Sequence, residues 1–178
     1  MYNNVSKLPY FISRSLFMFI FEINTAVAMN NKPNMRILLT DDDEDDREFF
    51  AEAIVDLHLN YPVEFCKNGI ELIDRLSDLN SDIPDIIFLD LNMPLLSGLE
   101  TLQQIREDTK FKHIPVIAIY STSSTEEGIK DTYSLGANAY IVKPIEFNDL
   151  KKILKKVIET NWEEKLKKEA MDSFIISL

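Results

Sequence analysis

Charged side chains stand directly after short apolar runs at three places in this sequence. Asp41 and Asp42 follow the run ILLT, and Asp90 follows the run DIIFL. Lys143 follows the run AYIV. Carboxylates that are brought together repel one another, and a bound divalent cation relieves that repulsion. Because oxygen ligands with open coordination positions favour Mg²⁺, these residues predict a magnesium site with an ammonium group opposite it.

The same residues predict phosphoryl transfer. An ionised carboxylate such as Asp90 attacks phosphorus readily once a metal screens the charge of the incoming phosphate. Lys143 would supply a positive charge, and Ser121 or its neighbour would supply a hydroxyl donor. Phosphoryl transfer depends mainly on positioning and charge stabilisation, so these groups are sufficient for it.

Asp41 and Asp42 begin a run of six consecutive acids, DDDEDD, at residues 41–46. For residues 43–46 we expect a solvated helix N-terminus, because acidic side chains there complement the helix dipole. Asp41 and Asp42 differ from the others because they directly follow a strand that we expect to be buried. They should therefore face Asp90 across neighbouring strands.

The elements that must position these residues begin at residue 35, where short apolar runs start to alternate with helical periodicity. Five repeats of strand and helix predict an α/β protein with a doubly wound, mostly parallel sheet. In such sheets ligands bind at the carboxyl ends of the strands, which is where the charged residues fall. The predicted strands cover residues 36–40, 63–66, 85–89, 116–120 and 139–142.

In order and with matching gaps, the strings ILLTDDDEDD, IIFLDLNMP, SGLE, IPVIAIYSTS and GANAYIVKP resemble the receiver domain of two-component response regulators. The resemblance covers residues 35–160. It implies a flavodoxin-like fold with five helices and a five-stranded parallel sheet in the order 2-1-3-4-5. Residues 1–34 are then a leader, and residues 161–178 are a C-terminal helical extension and tail.

The resemblance also assigns roles to the residues of the site. It implies that Asp90 is the phosphoacceptor and that Asp41 and Asp42 form an acidic pair that binds Mg²⁺ together with Asp90. The backbone carbonyl of Asn92 would be a further ligand of the ion. Lys143 would contact the phosphoryl group, and the peptide bond after Lys143 would be cis.

One position departs from the pattern of the family. Receivers normally carry Thr or Ser as the fifth residue after the strand-four proline, where this chain has Tyr120. Counting back from Lys143 points instead to Ser121 as the hydroxyl that follows the phosphoryl group, with Thr122 as the alternative. Tyr140 occupies the position of the aromatic residue that changes rotamer on activation.

The resemblance therefore implies a phosphorylation switch that does not turn over external substrates. Its phosphodonor would be a sensor histidine kinase or a phosphotransfer protein. It would be a stand-alone receiver that acts on a downstream protein through the face formed by helix four, strand five and helix five, or an intermediate in a phosphorelay.

Two other functions compete with the switch. A Mg²⁺-dependent phosphohydrolase with an aspartyl-phosphate intermediate would usually have a second carboxylate where this chain has Asn92. The second alternative is a binding module with the receiver fold that is not phosphorylated, and Tyr120 leaves this alternative open.

Composition argues against several other classes of function. The formal net charge of −11 opposes nucleic-acid binding, because a DNA-binding protein neutralises phosphates with clustered lysine and arginine. Cys66 is the only cysteine, which excludes an intramolecular disulfide and a zinc site built from cysteines. His58 and His113 have no partner at metal-ligand spacing, so we expect both to be surface or loop residues.

The first part of the chain lacks the alternation of the rest. A basic start, a short apolar centre and the tripeptide AVA at residues 26–28 resemble a secretory signal. We favour a disordered leader, or a true start at Met29 or Met35, over a working signal. Membrane attachment through residues 1–28 ranks lower still. Because phosphodonors are intracellular, we expect a cytoplasmic protein without a membrane anchor.

Overall fold

The sheet contains five parallel strands in the order β2-β1-β3-β4-β5, which confirms the predicted fold. The computed structural model describes residues 35–59, 61–167 and 171–178 of the chain. The expectations for residues 1–34 lie outside these described residues. The strands are β1 Ile37–Thr40, β2 Val63–Cys66, β3 Ile86–Leu89, β4 Val116–Ser121 and β5 Ala139–Val142.

A helix follows each strand, and a sixth helix lies beyond the last of these pairs. A 3₁₀ turn, Met171–Ser173, leads into the C-terminal residues. No helix in the described part of the chain has the length and apolar character needed to cross a membrane. The α-helices are α1 Glu44–Asp56, α2 Gly69–Ser77, α3 Gly98–Glu107, α4 Glu126–Ser134, α5 Phe147–Glu159 and α6 Trp162–Lys167.

Strand β3 shows why the sheet is covered on both faces. All four of its residues are apolar and fully buried. Ile86 and Phe88 belong to the core cluster that α1 and α5 complete on one face. Ile87 and Leu89 belong to the cluster on the other face, which α2 and α3 complete. An unbroken apolar run is the pattern of a parallel strand that is buried on both sides.

Side-chain caps fix where the helices start beyond the strand ends. Asp43, Asn68, Ser97 and Thr125 each accept a hydrogen bond from a backbone N–H in the first turn of a helix. At α3 the arrangement is a full capping box, because Glu100 also accepts from the backbone N–H of Ser97 at 3.0 Å. These caps satisfy backbone groups that would otherwise lack partners, and they hold the loops at the carboxyl edge of the sheet.

Candidate functional site

Two adjacent strand ends bring three carboxylates together. Asp41 follows β1 and Asp90 follows β3, and the backbone N–H of Asp90 donates to the carbonyl of Thr40 at 3.0 Å. One carboxylate oxygen from each of Asp41, Asp42 and Asp90 lies within 4.8 Å of the others. Asp41 is fully buried, Asp90 is nearly so, and Asp42 is exposed. The cluster therefore opens toward solvent on the side of Asp42.

The carboxylate of Asp90 is held by hydrogen bonds to both of its oxygens. Oδ1 accepts from the backbone N–H of Leu91 at 2.6 Å and from that of Asn92 at 3.3 Å. Oδ2 accepts from Nζ of Lys143 at 3.2 Å. Hydrogen bonds from a cation and from backbone N–H groups fix the orientation of this carboxylate.

Asp41 carries a buried oxygen that lacks a full set of partners. Its Oδ1 accepts from the backbone N–H of Asp43 at 3.1 Å. Its Oδ2 forms an ion pair with Nζ of Lys143 at 2.7 Å, but no hydrogen bond of good geometry reaches it from the described residues. Burial raises the pKa of Asp41 to about 6, although Lys143 opposes the increase. A buried carboxylate oxygen of this kind fits a position that a cation would bind.

Lys143 faces the carboxylates from the end of β5. Its backbone N–H donates to the carbonyl of Ser121 at 2.9 Å, and its side chain is 7% exposed. Nζ lies 2.7 Å from Asp41, 2.6 Å from Asp46 and 3.2 Å from Asp90. Burial alone would lower the pKa of Lys143, but the three carboxylates outweigh burial and raise it. The ammonium group is therefore charged and directed at the site.

Asp46 is a site residue that the sequence analysis missed. Asp43 caps α1, with its Oδ1 accepting from the backbone N–H of Asp45 at 2.9 Å. The expectation of a merely solvated helix N-terminus is wrong for Asp46, because this side chain pairs with Lys143. Asp46 lies in the first turn of α1, directly after β1, and this position is the signal that could have identified it.

Strand β4 brings Ser121, and not Tyr120, beside the Asp90 loop. It continues one residue further than predicted, through Ser121. Tyr120 packs against Phe50 in the core, at 5.9 Å between ring centroids. Because side chains alternate along a strand, Ser121 points to the opposite face, where its Oγ accepts from Nδ2 of Asn92 at 3.3 Å. Thr122 is exposed, so Ser121 is the hydroxyl beside the Asp90 loop.

The peptide bond between Lys143 and Pro144 is trans, so the expectation of a cis bond is wrong. The trans isomer before proline is intrinsically favoured by about 0.5–1 kcal/mol. Lys143 reaches its carboxylate partners with the trans bond in place.

Tyr140 lies inside the protein, with a fully buried side chain. Its hydroxyl donates to the backbone carbonyl of Ser123 at 2.9 Å. The backbone N–H of Ser123 in turn lies 3.4 Å from Oγ of Ser121. Tyr140 thus contacts the loop that directly follows Ser121.

Gly98 allows α3 to lie directly against the backbone of Asp90. Its N–H donates to the carbonyl of Leu91 at 3.0 Å. A Cβ atom at this position would overlap the carbonyl group of Asp90. The glycine in the string SGLE therefore fixes how closely the helix approaches the central residue of the site.

Comparisons with known proteins agree on one family. The family model of the response regulator receiver domain matches residues 37–155. Chemotaxis protein CheY-3 of Vibrio cholerae is 35% identical over 132 residues, covering 74% of this chain and 97% of that protein.

Two solved structures have the same fold. The Mn²⁺-bound form of response regulator Rcp1 is 28% identical, with a TM-score of 0.63 over 72% of this chain and 94% of that one. The phosphorylated cyanobacterial phytochrome response regulator RcpA is 32% identical, with a TM-score of 0.65 over 71% of this chain and 92% of that one.

Proposed function

The chain belongs to the response regulator receiver domain family, whose members are phosphorylation-dependent switches of two-component signalling, and we propose that Asp90 is its phosphoacceptor. The observation that carries this proposal is the position of Asp90 at the centre of the site. Its carboxylate is nearly buried, lies 3.2 Å from Nζ of Lys143 and shares its surroundings with the acidic pair.

The chemistry is a direct transfer between two side chains. A carboxylate oxygen of Asp90 attacks phosphorus, and the bond from phosphorus to the imidazole nitrogen of the donor histidine breaks, with its electron pair staying on that nitrogen. Lys143 stabilises the negative charge on the transferred group. The hydroxyl of Ser121 donates a hydrogen bond to a phosphoryl oxygen.

We assign the cation of this site as Mg²⁺. Asp41, Asp42 and Asp90 would hold it, together with the backbone carbonyl of Asn92. Three carboxylates form the oxygen-rich donor set that Mg²⁺ prefers, and the buried Oδ2 of Asp41 supports this fit. The Mn²⁺-bound structure of the relative Rcp1 also supports it. When bound, the ion would screen the charge of the incoming phosphate.

The proposed partners follow from the same chemistry. The donor is a sensor histidine kinase or a phosphotransfer protein, and the receiver works in the cytoplasm, where phosphodonors are made. A downstream protein reads the phosphorylated state through the face of α4, β5 and α5. Phosphorylation shifts the population of that face between two arrangements, because a ligand moves an equilibrium only through a difference in affinity.

Asn92 favours a switch over a phosphohydrolase. An amide at this position cannot act as an acid or a base, and its Nδ2 is bonded to Ser121. The acyl phosphate should therefore be lost slowly, by self-dephosphorylation.

The test is phosphorylation by acetyl phosphate in the presence of Mg²⁺, followed by intact mass. We expect the wild type to gain one phosphoryl group that hydroxylamine removes, and Asp90→Asn to gain none. Asp85→Asn is the matched control, because Asp85 precedes the same strand and lies at its other end. It should be phosphorylated like the wild type.

Three other outcomes would overturn the assignment. Equal labelling of Asp90→Asn would place the phosphoryl group elsewhere. Release of phosphate over many turnovers would indicate a hydrolase. No labelling of the wild type would indicate a binding module.

A further inference from the structure

The C-terminal residues pair with the outer edge of β5. The backbone N–H of Tyr140 donates to the carbonyl of Phe174 at 2.9 Å, and the N–H of Ile176 donates to the carbonyl of Tyr140 at 2.8 Å. The pairing is parallel and centred on Ile175. These bonds satisfy backbone groups of an edge strand that would otherwise be free to pair with another chain.

The two residues that flank Ile175 are buried, each against a different face of the sheet. Phe174 is 2% exposed and Ile176 is 4% exposed, whereas Ile175 between them is 46% exposed. The ring of Phe174 lies 5.1 Å from that of Tyr133 and 6.2 Å from that of Tyr140. Phe174 and Ile176 therefore anchor the segment on either side of the exposed Ile175.

The segment adds buried side chains to the core beside α4, where the helix itself contributes few. Helix α4 contributes only Thr132 as a fully buried residue, and Tyr133 is only partly buried. Phe174 completes the core cluster on this face, and Ile176 joins the cluster on the other face. Nζ of Lys156 on α5 donates to the carbonyl of Ser177 at 2.8 Å and holds the end of the segment.

We propose that the outer edge of β5, with Tyr133 and Tyr140 beside it, is a docking site for an extended apolar peptide, and that residues 174–176 of this chain are its resident occupant. A partner that adds a strand at this edge, with apolar side chains two residues apart, competes with the segment for the same hydrogen bonds. The proposal rests on the backbone pairing at β5 and does not require that Asp90 be the phosphoacceptor.

Tethering sets how strong a competitor must be. A segment linked to its own site acts at an effective concentration that reaches the millimolar range for short linkers. A free peptide of the same sequence should therefore bind the intact chain poorly. It should bind well once the resident segment is released.

The first measurement is amide hydrogen exchange on the full chain. We expect slow exchange at Tyr140 and Ile176 in the wild type, and exchange at least about tenfold faster at both in Phe174→Ala. Ile175→Ala is the matched control, because it changes the exposed neighbour, and it should exchange like the wild type. Unchanged protection at Phe88 in β3 would show that each variant keeps its core. Equal protection of Tyr140 in all three proteins would overturn the proposal.

The second measurement adds a synthetic peptide of residues 171–178 in trans. We expect saturable binding to the full-length Phe174→Ala chain that is at least about tenfold tighter than binding to the wild type. A peptide with alanine in place of Phe174 should not bind. Equal affinity for both chains, or for neither, would contradict a resident occupant. Protection that rises with protein concentration would show that a second copy supplies the segment, and would also overturn the proposal.

Discussion

A single residue, Lys143, offsets much of the negative charge of the site. Its Nζ lies within 3.2 Å of oxygens from Asp41, Asp46 and Asp90. Ion pairs with several carboxylates keep this ammonium group in position before a phosphodonor binds. Preorganised charge of this kind acts without a cost of reorganisation at the moment of transfer.

The raised pKa of Asp41 makes the stability of the protein depend on pH in a definite direction. Between its ordinary value of 3.8 and its folded value of about 6, the folded chain keeps a proton that the unfolded chain has released. The contribution of Asp41 to stability is therefore present below this interval and is lost as the pH rises through it.

We expect Asp41→Asn to be more stable than the wild type at neutral pH in metal-free buffer, by about 1 kcal/mol or more. The advantage should vanish in acid, below the unfolded pKa, where the wild-type carboxyl is protonated as well. Urea unfolding of both proteins across this pH range measures the difference. Asp42→Asn is the control, because Asp42 is exposed. A loss of stability in Asp41→Asn at every pH would contradict the expectation.

Sequence reasoning identified the site residues that lie at strand ends, because the carboxyl ends of parallel strands must meet at one edge. Asp41, Asp90 and Lys143 are of this kind. Asp46 was missed because its partner Lys143 is 97 residues away and depends on how α1 sits over the sheet. A contact of this kind is a product of packing and leaves no local pattern.

Among helices and strands, Gly98 determines how closely α3 packs against the residue that follows β3. Because a Cβ atom there would overlap the Asp90 carbonyl, we expect Gly98→Ala to lower the free energy of unfolding by about 2 kcal/mol and to slow phosphorylation of Asp90. Gly128→Ala is the control, since a Cβ there meets only the side chain of Thr125. Chemical denaturation and intact mass measure the two effects. Equal stability of both variants would show that α3 shifts without cost.

The order and type of the elements could be predicted because apolar runs and helical periodicity alternate clearly. The end of β4 could not be predicted as well. Tyr120 is a good strand residue, and only the pairing of Ser121 with Val142 on β5 extends the strand past it. Pairing between strands therefore decides boundaries that periodicity leaves open.

At the scale of the whole molecule, contacts run without a break from the site to the C-terminal residues. Asn92 bonds Ser121, and the backbone of Ser123 bonds both Ser121 and Tyr140. Phe174 then packs on the ring of Tyr140. We therefore expect a docked segment to favour the arrangement in which the Ser121 hydroxyl lies beside Asp90. Coupling between two sites is reciprocal, so docking and phosphorylation should influence one another.

We expect Phe174→Ala to lower the phosphorylated fraction at limiting acetyl phosphate by roughly two- to fivefold, a small coupling between sites. Ile175→Ala should match the wild type, because its exposed side chain lies off this path. Intact mass at steady state measures the fraction. Equal fractions in the two variants would show that the segment and the site are independent.

Sequence reasoning placed residues 161–178 outside the receiver and did not predict where they bind. The tail FIISL is apolar but too short to show a period. Its register against Tyr140 depends on a strand edge that exists only after the sheet has formed.

Because Lys143 pairs with several carboxylates, the site also has a consequence for the protein when magnesium is scarce. The ammonium group of Lys143 is a counter-ion for the carboxylates, so we expect the domain to fold without a metal, unlike the small domains that unfold when zinc is withdrawn. A chelator should therefore silence the switch and leave it intact. Phosphorylation would depend on the ion reversibly, and it should recover when Mg²⁺ is added back.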